Sequence, residues 1–534
     1  MEEGNTLDES MSFIPTGGAV EISFEPQDGE THPETDEQSP SEADTPPGGD
    51  SSAPNENKPV QKPEQVAKKP AGTASKPVSK TRTTARPSAS KTSAQPTDRK
   101  PAPSKPTKPR LTKKTAPSSE KKTGLTKYLY TVLSGNNSAL VKRVVRSRPW
   151  WEPQEDETSA NYHLRWKQSG GGIQYGSLLN RADHRQAVNH LPNNREMCTK
   201  TGLVRNLRMM LDRKSSASVA LADIVPDTYE FHSYTDNSFL RWKKKFQDNA
   251  KRAAAGTAPP GWEKNLWIAK PESLNRGRGI SVVRTLEELE NVTKLSKATN
   301  QQTWIIQKYL EKPMLIDGRK FDIRQYVLVT NTMDVYFYKH GYLRLTSVPY
   351  DDASTDPAVH LTNNAVQCKL DHYGEHEEGN MMTYYQLDEA IKAQGGAGLD
   401  PVVEQMKAQV KLVIQSVAKK MNAERYKSPF FEVFGFDFMV MAESFKVLTI
   451  EVNTNPAIST CSSILKKLLP EMLDDAFSLT LDKSHPPPRG TSKSSIVVAG
   501  GSTELEVGDP PLLKWGDECG ITRGNRWEKL GSFL

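Results

Sequence analysis

The chain has 534 residues, a formal net charge of +6 and only 35% hydrophobic residues, with a mean hydropathy of −0.66. It is long enough for several domains and too polar for all of it to fold, and no apolar run has the length of a bilayer span. Its four cysteines, Cys198, Cys368, Cys461 and Cys519, form no CxxC pair, which excludes a disulfide-stapled scaffold and points to a reducing compartment.

The opening "MEEGNTLDES" has neither a basic nor an apolar leader region, so no signal peptide is expected. Residues 1–57 contain no Lys or Arg and read as an acidic disordered tail. Residues 58–124 reverse that bias, with Lys and Arg scattered among Pro, Ser, Thr and Ala. Neither segment has the apolar periodicity needed to offset the entropy of ordering. The basic tract could attract nucleic acid, an anionic membrane or an acidic protein surface, or serve as a solvated linker. It has no aromatic residue for base stacking, and prolines interrupt any amphipathic helix, so neither nucleic acid nor membrane is expected.

The texture changes at Lys127. "KYLYTVLSG" reads as a strand and turn, and "NSALVKRVVRSR" as a capped helix. In "MCTKTGLVRNLRMML", Leu203, Val204, Leu207 and Leu211 recur at helical spacing. Strands are expected in "WIIQKYL", "QYVLVT", "DVYFYK", "FEVFGFDFMV" and "KVLTIEV". Between them Val402–Met421 is the clearest helix, with Val403, Met406, Val410, Val413, Ile414, Val417 and Met421 on one face. After Asp482 a linker is expected, and the final "LLKWGDECGITRGNRWEKLGSF" shows no period. Strands mixed with helices give an α/β (α+β) body.

Four charged residues interrupt these apolar strands: Lys270, Lys308, Asp437 and Glu451. A charge on a half-buried strand is costly unless it is paired or functional. Charges of both signs suggest one shared polyanionic ligand. Asp437, Glu451 and Asn453 offer hard oxygens for Mg²⁺, and Lys270 and Lys308 could neutralise phosphates. The loop "NRGRGI", Asn275 to Ile280, could bring backbone N–H groups to a phosphate. It has neither P-loop nor dinucleotide-fold spacing, and no kinase motif set is present.

In "GRKFDIRQYVLV", Lys320, Asp322 and Arg324 alternate with Phe321 and Ile323. On a strand this makes a polar face over an apolar one, or alternatively an edge strand with a solvated face. "GYLRLTSVPY" places Arg344 similarly, and "HLTNNAVQ" offers Thr362 and Asn363. His372 and His376 in "HYGEHEEGN" have the i, i+4 spacing of a metal pair, but the glycines argue for a loop.

"LWIAKPESLNRGRGI", "IIQKYLEKP", "RKFDIR", "HLTNN", "HYGEHEEGN", "FGFDFMV" and "IEVNTNP" occur in this order. In that order they resemble the tubulin–tyrosine ligase-like family, across about residues 127–482. The resemblance implies an ATP-grasp ligase body with a small N-terminal α/β domain. It would join an amino acid to the tail of tubulin, using ATP and Mg²⁺ through an acyl phosphate. The implied division is an N-terminal ligase domain at 125–226, a central ATP-grasp domain at 227–311, a C-terminal catalytic domain at 312–482, and a linker and tail at 483–534. Lys200, Lys270 and Lys308 look like ATP-contacting lysines. Gln307, Tyr309 and Leu310 resemble an adenine hinge. Lys320, Asp322 and Arg324 match a nucleotide-binding strand, and Asp437, Glu451 and Asn453 a Mg²⁺ set. Arg344, Thr362 and Asn363 resemble residues near the acceptor and the incoming amino acid, with Arg324 and Arg344 as catalytic arginines. Asp322-Ile323-Arg324 and "HLTNNAVQ" are closer to tyrosine ligases and glycylases than to glutamylases, and "QKYLEKP" leads to tyrosine. The implied setting is cytoplasmic, on microtubules, and extends to the axoneme of a cilium or flagellum. The basic tract would then attract acidic tubulin tails.

Overall fold

Short β-branched and aromatic runs build three sheets in the computed structural model, which describes residues 127–213, 219–272, 274, 277–294, 303–421, 423–487 and 525–533. The acidic segment, the basic tract and Cys519 lie outside the described residues. The first sheet is all parallel, in the order β2-β1-β3-β4, from β1 (Tyr128–Val132), β2 (Trp151–Pro153), β3 (Leu164–Trp166) and β4 (Ala187–Val188). The second is antiparallel, in the order β5-β8-β6-β7, from β5 (Thr228–Phe231), β6 (Trp267–Pro271), β7 (Ser281–Val283) and β8 (Trp304–Lys308).

The third sheet is built on the twelve-residue strand β10 (Arg319–Thr330), preceded by β9 (Leu315–Ile316). It adds β11 (Asp334–Tyr338), β12 (Tyr342–Leu345), β13 (Met381–Thr383), β14 (Phe431–Val440) and β15 (Val447–Asn453). One side of β10 pairs with β12 and then β11, the other with β14, which pairs with β15. Every residue of β10 is buried. The edge-strand alternative is therefore overturned: β10 is central, and its polar face meets other side chains rather than water. The fold is mixed α/β, and the second and third sheets both contribute walls to one cleft, as an ATP-grasp body requires.

Helices form where periodicity predicts them. Ser138–Arg146 is capped by Asn137, whose side chain accepts from Leu140 N. Lys200–Arg213 buries Leu203, Val204 and Leu207. The helix Asp400–Met421 buries Val402, Met406, Val410, Val413, Ile414, Val417 and Met421. Val403, expected on that face, is only half-buried, and Val402 takes its place. No helix among the described residues is long and apolar enough to cross a membrane.

The C-terminal stretch without a period holds a strand, β16 (Trp527–Ser532), which pairs antiparallel with β11. Trp527 supplies the anchor. It is buried and donates its indole N–H to Met472 O.

The chain at 481–485 also packs against the first sheet. The His485 ring lies 5.7 Å from that of His163, which stacks on His184 at 4.4 Å. Burial and the neighbouring His184 hold His163 down to about 4, and burial, with His163 among its lesser causes, does the same to His485. The unfolded chain binds these protons more readily, so their contribution is intact above the unfolded histidine value of about 6.5 and is lost as pH falls from there towards 4. Thermal melts should show a steep fall in Tm across this window, less steep in His163→Asn. An identical slope in that variant would exclude the histidine cluster as the cause.

Candidate active site

Strand register places the charged residues in one row across the third sheet. Arg344 on β12 lies opposite Asp322 on β10, Arg324 on β10 opposite Asp437 on β14, and Asp437 opposite Glu451 on β15. Asp437 is 1% exposed and accepts from Arg324 Nε at 2.5 Å, from Arg324 Nη2 at 3.1 Å and from Arg344 Nη2 at 2.8 Å. Arg344 also donates to both oxygens of Asp322, at 2.8 and 2.5 Å. Burial alone would raise the Asp437 pKa, but the two guanidinium groups outweigh it and hold the carboxyl well below the usual carboxylate range.

Asn453, two residues after Glu451 on β15, faces the same side. Its amide donates to Asp437 Oδ2 and to Glu451 Oε1, each at 3.2 Å. Burial and the Asp437 charge push Glu451 upward, against the pull of Lys270. Two carboxylates and an amide on adjacent strands, one carboxylate without an arginine partner, fit a hard divalent cation that keeps water and phosphate oxygens in its shell. Among the described residues there is no cluster of three or more His, Cys, Asp or Glu able to hold a metal by itself.

Asp437, Glu451 and Asn453 line a cleft open to solvent. Lys200, Lys270, Gln307, Lys308, Tyr309, Leu310, Lys320, Asp322, Thr362, Asn363, Asp437, Glu451 and Asn453 all border it. Arg324 and Arg344 do not. Register sets each opposite a carboxylate, and both guanidinium forks form buried ion pairs with Asp322 or Asp437 beside the cleft.

Lys270 Nζ donates to Gln307 Oε1 at 2.7 Å, Lys320 Nζ to Tyr309 Oη at 2.9 Å, and Lys200 Nζ to Leu274 O at 3.2 Å. Burial lowers Lys270 to about 8 with help from Lys200, and lowers Lys320 to about 7 with help from Lys270. Gly277, from the glycine-rich loop, borders the same cleft at φ +76°, and a Cβ there would lie 3.1 Å from Val366 Cγ2. Asn275 and Arg276 of that loop lie outside the described residues.

Lys308 also borders the cleft, but its ammonium has a local carboxylate partner. Alternation along β8 turns its side chain away from that of Gln307. Its ammonium donates to Glu311 Oε1 at 2.6 Å, Tyr309 O at 2.8 Å and Leu266 O at 3.0 Å. Glu311 also accepts from Lys264 N and Leu266 N. The Lys308 charge is thus paired locally with Glu311 and ties the backbone of the hinge. Sequence reasoning missed Glu311, although an acid three residues after a strand lysine was a signal. It also missed the apolar walls Ile268, Ile280, Met439 and Ile450, which nothing in the sequence separates from core residues.

The segment 372–379 is mostly turn and loop, as its glycines suggest. His372 contacts Glu375 at 3.0 Å on the surface, and Glu377 holds the loop to buried Arg319 through two bonds. Cys198 is a partly buried thiol raised well above its usual value by burial, which argues against a nucleophile.

A model of the tubulin-tyrosine ligase family matches residues 178–493. The chain is 27% identical over 430 residues to a protein polyglycylase of Macaca fascicularis, covering 73% of this chain and 69% of that one. It is 27% identical over 437 residues to a human protein named an inactive polyglycylase, covering 74% and 64%. It is 33% identical over 231 residues to tubulin glycylase 3A of Drosophila melanogaster, covering 42% and 23%. The chain spans between 50% and 69% of the length of the polyglycylases it matches.

Two calorimetric outcomes are expected. Lys308→Met weakens adenosine and ATP equally, whereas Lys270→Met weakens ATP roughly tenfold more than adenosine. A selective loss of ATP affinity in Lys308→Met would restore its phosphate role. Separately, phosphates raise the depressed lysines, so triphosphate binding near pH 8 takes up protons, and the uptake fades below about pH 6. A binding heat at pH 8 that is the same in buffers of different ionisation enthalpy would contradict this.

Proposed function

The chain belongs to the tubulin-tyrosine ligase family, and from that premise we propose that it is an ATP-dependent ligase that adds glycine to the side-chain carboxylates of an acidic tubulin tail. One observation carries the reaction class: Lys200, the buried Lys270 and Lys320, and the Asp437–Glu451–Asn453 group border the same cleft. The tyrosine lead is replaced by the glycylase alternative, since the similar proteins named above are glycylases.

The residues have a consistent division of work. Gln307, Tyr309 and Leu310 form the hinge beside the apolar walls, suited to a purine. Lys200, Lys270 and Lys320 set positive charge where a triphosphate would lie. Asp437, Glu451 and Asn453 would hold Mg²⁺, which, when bound, neutralises phosphate charge. Arg324 and Arg344 keep Asp437 ionised and in place. Thr362 and Asn363, which also border the cleft, would contact the acceptor and the amino acid. A carboxylate is a poor acylating group, so the acceptor must first become an acyl phosphate. The amine of glycine then attacks its carbonyl, the amide forms, and inorganic phosphate leaves. The cleft lysines stabilise the charge spread over the transferring phosphoryl group. The basic tract 58–124 would add attraction for an acidic polymer.

A second reading has a specific basis, the human relative named inactive: a microtubule-binding protein on a ligase scaffold. Purified protein with ATP, Mg²⁺, tubulin and labelled Gly, Tyr or Glu in separate reactions separates the two. Glycine is expected to be incorporated, and Glu451→Gln to abolish the incorporation. Tyrosine or glutamate in its place would overturn the choice of amino acid, and no label at all would favour the scaffold.

A further inference from the structure

Strand β14 carries a second buried carboxylate that the cleft does not use. Glu432 is 1% exposed and sits five positions before Asp437, on the other face of the strand. It accepts from Leu191 N at 2.9 Å and from Asn194 Nδ2 at 2.9 and 3.0 Å, and His190 Nδ1 lies 2.9 Å from it. Its last partner is Thr454, whose hydroxyl donates to Glu432 Oε1 at 2.6 Å and accepts from Asn194 Nδ2 at 3.2 Å. Thr454 directly follows Asn453, whose amide reaches both cleft carboxylates. The next residue is fixed as well. Asn455, at φ 44°, accepts from Asn136 Nδ2 at 2.8 Å and donates to Gln168 at 3.2 Å.

We propose that Thr454, clamped by Glu432, is a positioning residue for the cation site. The clamp holds the chain leaving β15, and this sets where the Asn453 amide and the Glu451 carboxylate converge with Asp437. The inference rests on the reading of these three residues as the Mg²⁺-holding group. A purely structural role would make Thr454 one more tie between the 187–194 segment and the third sheet. Two facts separate the possibilities. Thr454 is exposed, so its substitution opens no cavity. Glu432 keeps its other donors when the hydroxyl is removed, so Thr454→Val leaves no buried charge unpaired. The bond therefore has little to do for stability and lies next to the residue that must be aimed. Groups that orient metal ligands from behind typically change metal affinity by about 10–100-fold when removed.

The test measures binding, without turnover. The dissociation constant of a non-hydrolysable ATP analogue is measured by calorimetry on the full chain, with Mg²⁺ and with EDTA, for wild type, Thr454→Val and Thr454→Ser. Wild type should bind more tightly with Mg²⁺. Thr454→Val should lose about tenfold in Mg²⁺ while its affinity in EDTA and its Tm stay close to wild type. Thr454→Ser should restore the Mg²⁺ gain, because it restores the hydroxyl. A Thr454→Val protein with the full Mg²⁺ gain overturns the proposal while leaving the cation site standing. Equal losses with Mg²⁺ and EDTA also overturn it, in favour of a structural tie. A wild type with no Mg²⁺ gain overturns the cation site and the positioning role together.

Discussion

The cleft depends on the charge of Asp437. A carboxylate that is 1% exposed cannot stay ionised without compensation, and two buried arginines from two different strands provide it. Losing Arg344 would leave buried Asp322 without its arginine, and losing Arg324 would leave Asp437 with Arg344 alone, and breaking a buried pair costs more than the pair is worth. The ion pairs therefore join β10, β12 and β14 as firmly as backbone bonds do. They also make Asp437 the fixed point against which Glu451 and Asn453 are placed. The same two arginines hold a buried carboxylate in its charged form.

Buried charge recurs at the hinge. Lys270 and Lys308 lie on neighbouring strands of the second sheet, and both are buried lysines. Their settings differ. Lys270 meets a neutral amide and the field of Glu451, so burial depresses it to about 8. Lys308 meets Glu311 and two carbonyls, so its charge is consumed locally. A buried lysine without a carboxylate at hydrogen-bond distance is a cation waiting for an anion, while a paired one is part of the frame. The cleft is assembled from both kinds.

Much of this was legible in the sequence. Helix periodicity located Lys200–Arg213 and Asp400–Met421 to within a few residues, because one face of each packs on a sheet. Charges inside apolar strands marked Lys270, Lys308, Asp437 and Glu451, because burying a charge demands a reason. The central position of β10 was not legible, since alternation looks the same on a central strand with a cleft above it as on a solvated edge. Strand β16 was not legible either. Its stability comes from Trp527 and the open edge of β11, and both are distant in sequence from any periodic pattern.

What the amino-acid sequence determined by itself is the inventory and its local order: which strands carry charge, which side chains share a face, and that Glu451 and Asn453 point the same way. These follow from the two-residue period of a strand and need no partner. What only the tertiary structure decided is who faces whom. Register set Arg324 against Asp437 and Arg344 against Asp322, and so gave each guanidinium a buried carboxylate partner. The packing of β8 beside β6 brought Leu266 O to the Lys308 ammonium. Long-range pairing also brought Glu432 to Thr454. Charge is a property of a residue, but its compensation is a property of distance, and distance between strands is not written along a chain.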